Sequence, residues 1–338
     1  MLTCEEFKEE ILRRVMEYFP DKTSVRITTI TKNNGISYEG LAVLSGRKSV
    51  SVIVNISDLW QEYLAEKGDM EEITKKILEL IIREDSEMDG IIYRFQLLKE
   101  AKENLYYALI NYEQNRERLE NIPHKRVLDL AVVLYVGLKS GNGYLSMQIT
   151  ENLLQLWETD FDSLYETAER NTMREQFVQI TSMKEMLKGI FADCMEEERQ
   201  TECATEKQEG EQPVSEIPGG SGLPVDIISN ARHFYGAACM LSPGVLEKEA
   251  EKMDSDLFIL PCSVHEIIVL PAEGEAEAGD LHRIVQEANA AWKDTTEWLS
   301  DSLYHYDRKS GEITVCRTAH EIPAHASGRN SPEERSRS

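Results

Sequence analysis

The sequence predicts an α+β fold: two α+β units with small, largely antiparallel or mixed sheets, joined by an acidic flexible linker. Three observations carry that expectation. Apolar residues recur at helical spacing in some segments and at strand spacing in others, without the strict β-α alternation of a parallel sheet. Turn signals such as Asn34-Gly35 and the Gly-bearing "YDRKSGEI" join neighbouring strand-like runs, as in antiparallel hairpins. Composition shifts abruptly over 196–223, where glutamate, glycine and proline replace core-forming side chains. With 338 residues and 41% hydrophobic content the chain can build a core in each of two units. The expected layout is an N-terminal α+β domain at 1–195, the linker at 196–223, a C-terminal α+β domain at 224–316 and a disordered tail at 317–338.

In chain order, Thr3 and Glu6 form a capping-box pair, with Leu2 and Phe7 placed as a hydrophobic staple. Phe7, Ile11, Val15 and Tyr18 continue one apolar stripe that Pro20 ends. The stretch "SVRITTITKNNGISYEGLAVLSGRKSVSVIVNI" alternates through Val25, Ile27 and Thr29, turns at Asn34-Gly35 and again at 45–48, and predicts a three-stranded meander. Helices follow at 57–66 and 69–84, the second with Ile73, Ile77, Leu80 and Ile81 on one face. Residues 98–115 read as helix or strand. The uninterrupted "VLDLAVVLYV" predicts one buried strand at 127–136 with cover on both faces, and "GLKSGNGY" a loop. A strand at 144–149 and helices at 150–157, 161–170 and 182–198 complete the first part. After the linker come strands at 225–230 and 234–240, a helix at 243–253 capped by Ser242 with Pro243 in its first turn, strands at 256–260 and 264–270, a helix at 279–291 and a hairpin at 302–315.

Composition narrows the function. No apolar run reaches the roughly 18–20 residues of a membrane span, so no membrane role is expected. The start "MLTCEEFKEEI" has neither a basic head nor an apolar segment, which points to the cytoplasm. Six scattered cysteines without a CxxC pair fit reduced thiols, with no zinc-ligand spacing. A net charge of −24 disfavours nucleic-acid binding through a basic face.

Two constellations carry candidate chemistry. Cys262 and His265 are a thiol and an imidazole three residues apart, and Cys239 lies nearby in "YGAACML", whose Tyr235 is a candidate binding residue. A cysteine nucleophile needs such a base. In a regular strand from Cys262 to Leu270, however, Cys262 and His265 point to opposite faces, which separates them. Gly236 marks a close approach of backbone or ligand. The second constellation, Asn111, Tyr112, Glu113, Asn115 and His124, precedes the aliphatic strand and could line a pocket or serve as loop hydrogen bonds. "HEIIV" at 265–269 lacks the second histidine of a zinc protease, and "PGGSGLP" at 218–224 lacks the lysine of a phosphate loop. No metal site and no cofactor is predicted.

The segments "NYEQNRERLENIPHKRVLDLAVVLYV", "RHFYGAACMLSPGVLEKEAEKMDSDLFILPCSVHEIIVLP" and "LSDSLYHYDRKSGEIT" together resemble a bacterial family catalogued as domain of unknown function 5688. The resemblance spans most of 1–316 and implies a bacterial, intracellular protein in two parts, with no activity or catalytic residue to carry over. The reading that follows is a non-catalytic interaction or accessory module with an unidentified protein partner. The alternatives are an enzyme using thiol chemistry in 232–271 and an acidic decoy that imitates DNA.

Overall fold

The computed structural model describes residues 1–19, 23–45, 52–96, 98–140, 143–172, 174, 177–185, 224–261, 263–272, 278–291 and 293–316. The expected linker at 196–223 and tail at 317–338 lie outside them, as do Pro20 and Cys262 and nearly all of the helix expected at 182–198. The fold is α+β, and every ladder among the described residues is antiparallel. The chain forms two compact units, Met1–Arg174 with Asp294–Trp298, and Glu175–Lys293 with Leu299–Ser338.

The first unit opens with α1 (Cys4–Tyr18). Its capping box is complete: Glu6 N–H donates to Thr3 Oγ1 at 3.3 Å, and Thr3 N–H donates to Glu6 Oε2 at 2.7 Å. Phe7, Ile11 and Val15 are fully buried, whereas Tyr18, one turn on, is 53% exposed. The strands β1 (Thr23–Thr31), β2 (Ser37–Ser45) and β3 (Val52–Asn55) form the expected meander in the order β1-β2-β3. Val25 pairs with Val43, and Ile27 with Leu41, so the alternating aliphatics fall on one face. That face packs under α1, α2 (Ile56–Ala65) and the long α3 (Met70–Gln96), with Leu59, Tyr63, Ile73, Ile77 and Ile81 closing the core.

After α4 (Leu98–Glu103), β4 (Leu105–Asn111) is buried along its whole length. The short α5 (Arg116–Leu119) leads to β5 (His124–Val127), β6 (Leu130–Ser140) and β7 (Gly143–Gln148). Here two expectations are corrected. "VLDLAVVLYV" is not one strand, because Val127 pairs with Leu130 around a two-residue turn in which Leu128 holds φ +56°. Of "GLKSGNGY", expected as a loop, residues 137–140 belong to β6 and 143–144 to β7, and Ser140 pairs with Gly143. In both places the ladder wins over local propensity. One edge of β6 pairs with β4, while β5 and β7 lie end to end along the other. Following α6 (Glu151–Leu156), α7 (Phe161–Thr172) covers β4: Tyr165 stacks on Tyr107 at 5.6 Å, and Asn171 Nδ2 donates to Leu105 O at 2.8 Å.

The second unit is a six-stranded sheet of order β13-β12-β10-β11-β9-β8. Its edge strand β8 (Val178–Ser182), unforeseen in the sequence, pairs with β9 (Asp226–Asn230). Next come a 3-10 helix at Gly236–Leu241, where a strand was expected, and α8 (Val245–Met253). Gly244, not Ser242, precedes the first turn of α8, and Pro243 lies in the turn before it. Then follow β10 (Leu257–Leu260), β11 (Ile267–Pro271), α9 (Ala278–Asn289), and the hairpin of β12 (Tyr304–Tyr306) and β13 (Ile313–Val315). Asp307 Oδ1 accepts from the backbone of Lys309 and Ser310, and Gly311 supplies φ +72°, which closes that hairpin. Phe258, Leu260, Leu270, Leu281, Val285 and Leu303 form a core between sheet and helix.

Candidate functional site

In the second unit the expected strand from Cys262 to Leu270 begins only at Ile267. Upstream, the Ser263 hydroxyl accepts from His265 N–H at 3.1 Å, Val264 O accepts from Ala237 N–H at 3.2 Å, and His265 O accepts from Ser229 Oγ at 2.8 Å. A side chain that takes up the backbone two residues on competes with a ladder, and here it prevails. The alternation that set Cys262 against His265 therefore does not hold, and Cys262 itself lies outside the described residues.

His265 Nδ1 accepts a hydrogen bond from Tyr235 N–H at 3.2 Å. That contact occupies the ring lone pair that a general base would use on this side. The ring lies nearly parallel to Tyr235, with centroids 6.0 Å apart, and Phe234 is tilted against both. Tyr235 holds φ +54°, and Gly236 follows it in a space without room for a side chain. A Cβ there would stand 2.3 Å from Ser229 Oγ and 2.4 Å from His265 O. The close approach read at Gly236 is thus to the chain's own backbone and serine. Cys239 is buried in the 3-10 helix, and burial pushes its thiol up to about 12. A thiol so placed stays protonated at neutral pH, the opposite of an activated nucleophile.

The second constellation divides. Asn111 Oδ1 accepts from Gln114 N–H at 3.0 Å, capping the turn after β4. Asn115 is 1% exposed: its Nδ2 donates to Asn111 O at 2.9 Å and Asn34 Oδ1 at 3.1 Å, while its Oδ1 accepts from Asn34 N–H and Arg118 Nη1. The Tyr112 and His124 rings make a separate set of contacts. Arg126 lies over the Tyr112 ring at 4.2 Å, His124 is tilted against the same ring at 5.9 Å, and His124 Nδ1 donates to Ile122 O at 2.8 Å. Glu113 meets Arg116 and Arg126 at the exposed rim.

Three features escape sequence reasoning. The Asn33-Asn34 turn holds the returning segment Asp294–Trp298: Asn34 Nδ2 donates to Thr295 O and Trp298 O, and Asn33 Nδ2 to Thr296 O. Asn33 Oδ1 is buried with no hydrogen-bond partner among the described residues. Third, Asp226 at the start of β9 and Glu249 on α8 are buried charged residues bridged by Lys252, whose Nζ lies 2.5 Å from Asp226 Oδ2 and 3.1 Å from Glu249 Oε2. Burial raises the Glu249 carboxyl, a hydrogen bond with Asp226 raises it further, and Lys252 only partly offsets them. Burial pulls Lys252 down, but its bonds to Asp226 and Glu249 outweigh that and leave it raised. The three side chains form one cluster, two buried carboxyls bridged by one ammonium. Its only sequence signal is a glutamate on the apolar stripe of Leu246, Glu249, Ala250 and Met253.

Among the described residues no three histidine, cysteine or acidic side chains converge as metal ligands, and no helix is long and apolar enough to cross a membrane. Comparison with known proteins finds no match among curated proteins or solved structures. One family model does match, over residues 4–308, and by that span the chain belongs to the Family of unknown function (DUF5688).

Proposed function

We propose that this chain is a non-catalytic interaction or accessory module of the bacterial cytoplasm, with an unidentified protein as its partner. Residues 196–223 are its acidic flexible linker. One observation carries the reading: the side chains that the sequence marks as reactive spend their polar atoms on the chain itself. Asn111 and Asn115 cap and clasp backbone, His265 takes the Tyr235 N–H, and the Cys239 thiol is buried and protonated. Groups held this way build a rigid frame, and an interaction protein needs a frame more than an open site. The net charge of −24 favours a partner other than nucleic acid.

The test combines reactivity with capture on the full-length chain. Iodoacetamide at neutral pH should label every cysteine no faster than a free thiol. In-cell crosslinking should trap one protein at fixed stoichiometry, and Cys239→Ser, Cys262→Ser and His265→Ala should each retain it. A cysteine that alkylates on the order of 100-fold faster than free thiol, with no protein trapped, overturns the proposal and restores the thiol enzyme.

A further inference from the structure

Asn34 and Gly35 form the turn between β1 and β2, with Asn34 at φ 59°, ψ 25° and Gly35 at φ +70°. Asparagine followed by glycine is the sequence most prone to cyclise, because glycine offers its backbone nitrogen without a side chain in the way. Here the asparagine is also the anchor of another segment. Its Nδ2 donates to Thr295 O at 3.0 Å and Trp298 O at 2.8 Å, its Oδ1 accepts from Asn115 Nδ2, its N–H donates to Asn115 Oδ1, and the residue is 7% exposed.

We propose that Asn34 is a modification site at which spontaneous deamidation, gated by opening of the asparagine clasp, irreversibly releases the segment Asp294–Trp298. In the step, Gly35 N gives up its proton to water and attacks Asn34 Cγ. The new C–N bond closes a succinimide, and the Cγ–Nδ2 bond breaks to expel ammonia. Water then opens the ring at either carbonyl, leaving aspartate or isoaspartate at 34. One water enters and one ammonia leaves, with no oxidant or other reactant.

The clasp governs both the rate and the consequence. Expelling the amide nitrogen requires breaking both its bonds to Thr295 O and Trp298 O, and ring opening requires water at a buried residue. The reaction therefore passes through an opened state, whose population sets the rate. The aspartate product has no N–H on Cγ, and in the isoaspartate product the nitrogen on Cγ is that of Gly35, redirected with the main chain. An anionic oxygen would face two carbonyl oxygens in a buried site, acceptor against acceptor, and the clasp cannot reform. Deamidation becomes a permanent record that the turn once opened.

Peptide mapping by mass spectrometry tests this on the full-length chain at 37 °C, with the guanidinium-unfolded chain as the reference for the same Asn34 peptide. Asn34 in the native protein should deamidate at least about 100-fold more slowly than in the unfolded chain. Asn115→Ala, or urea below the unfolding transition, should accelerate it at least about tenfold. Asn34→Asp, one of the two products, should raise amide exchange across 294–298 in the folded protein. The proposal is overturned if native Asn34 reacts at the unfolded-chain rate, or if neither Asn115→Ala nor sub-denaturing urea changes its rate, undetectable reaction in all native samples included. It is equally overturned if Asn34→Asp leaves exchange at 294–298 unchanged.

Discussion

Replacing Glu249 with glutamine isolates the titration of this buried carboxyl. Glutamine keeps the shape and a donor toward Asp226 but cannot ionise. The folded chain holds the Glu249 carboxyl above its ordinary value of 4.5, so folding is favoured by proton uptake. The sign follows directly: the stabilisation is fully present below 4.5 and is lost as pH rises through the folded value. A single group can contribute a slope of at most about 1.4 kcal/mol per pH unit within that window. Elsewhere in the chain, carboxylates held low act in the opposite sense. Glu10, for example, is held at about 2 by its bonds to Arg13 and Arg14, although its exposure makes its contribution small. The comparison of wild type with Glu249→Gln at each pH cancels those shared terms. The assay is amide exchange of the β9 peptide Asp226–Asn230 between pH 5 and 8, corrected for intrinsic rates, which reads the opening free energy beside the cluster. Wild type should lose protection relative to Glu249→Gln as pH rises, while at pH 5 the two should agree within about 1 kcal/mol. Identical pH slopes in the two proteins would refute the raised Glu249 carboxyl.

Gly236→Ala should destabilise the second unit by about 1–3 kcal/mol, read by thermal unfolding, because its Cβ would meet a serine hydroxyl and two backbone atoms well inside contact distance. Cys239 should resist a thiol reagent at neutral pH until denaturant opens the fold; reaction at the rate of an exposed thiol would contradict its burial. Limited proteolysis should cut between 196 and 223 and leave two resistant fragments, and survival of this segment while the 317–338 tail is trimmed would count against the linker. Duplex DNA should not shift at physiological salt, and salt-sensitive micromolar binding would show that the −24 charge hides a basic face.

What the sequence discloses is what short-range chemistry decides. The capping box of Thr3 and Glu6, the stripe of Phe7, Ile11 and Val15, and the Asn34-Gly35 hairpin each lie within a few residues and stand where expected. The 304–315 hairpin was legible for the same reason, since Asp307 and Gly311 close it locally. The failures occur where pairing at a distance overrides the local signal. Leu128 is a poor residue for φ +56°, and only the β5–β6 ladder forces it there. The 234–240 segment reads as a strand, yet Gly236 must fit against Ser229 and His265 O, and a tight 3-10 turn is the backbone that allows it.

The site residues separate along the same line. Asn111 and Asn115 were legible as polar groups beside a strand, because capping the turn after β4 is a local task. Their coupling to Asn34, and through it to Trp298 across 264 residues, was not. The Asp226, Glu249 and Lys252 cluster shows the limit most clearly. On the helix, Glu249 and Lys252 are an ordinary i,i+3 pair of the kind that solvent usually weakens to a few tenths of a kcal/mol. What changes their chemistry is the strand start at Asp226, which brings a second carboxyl to a place from which water is largely removed. There desolvation disfavours the charged form of Glu249, and its carboxyl is raised. The pattern of charges was written in the helix, but the upward shift of the Glu249 carboxyl belongs to the packing of helix on sheet.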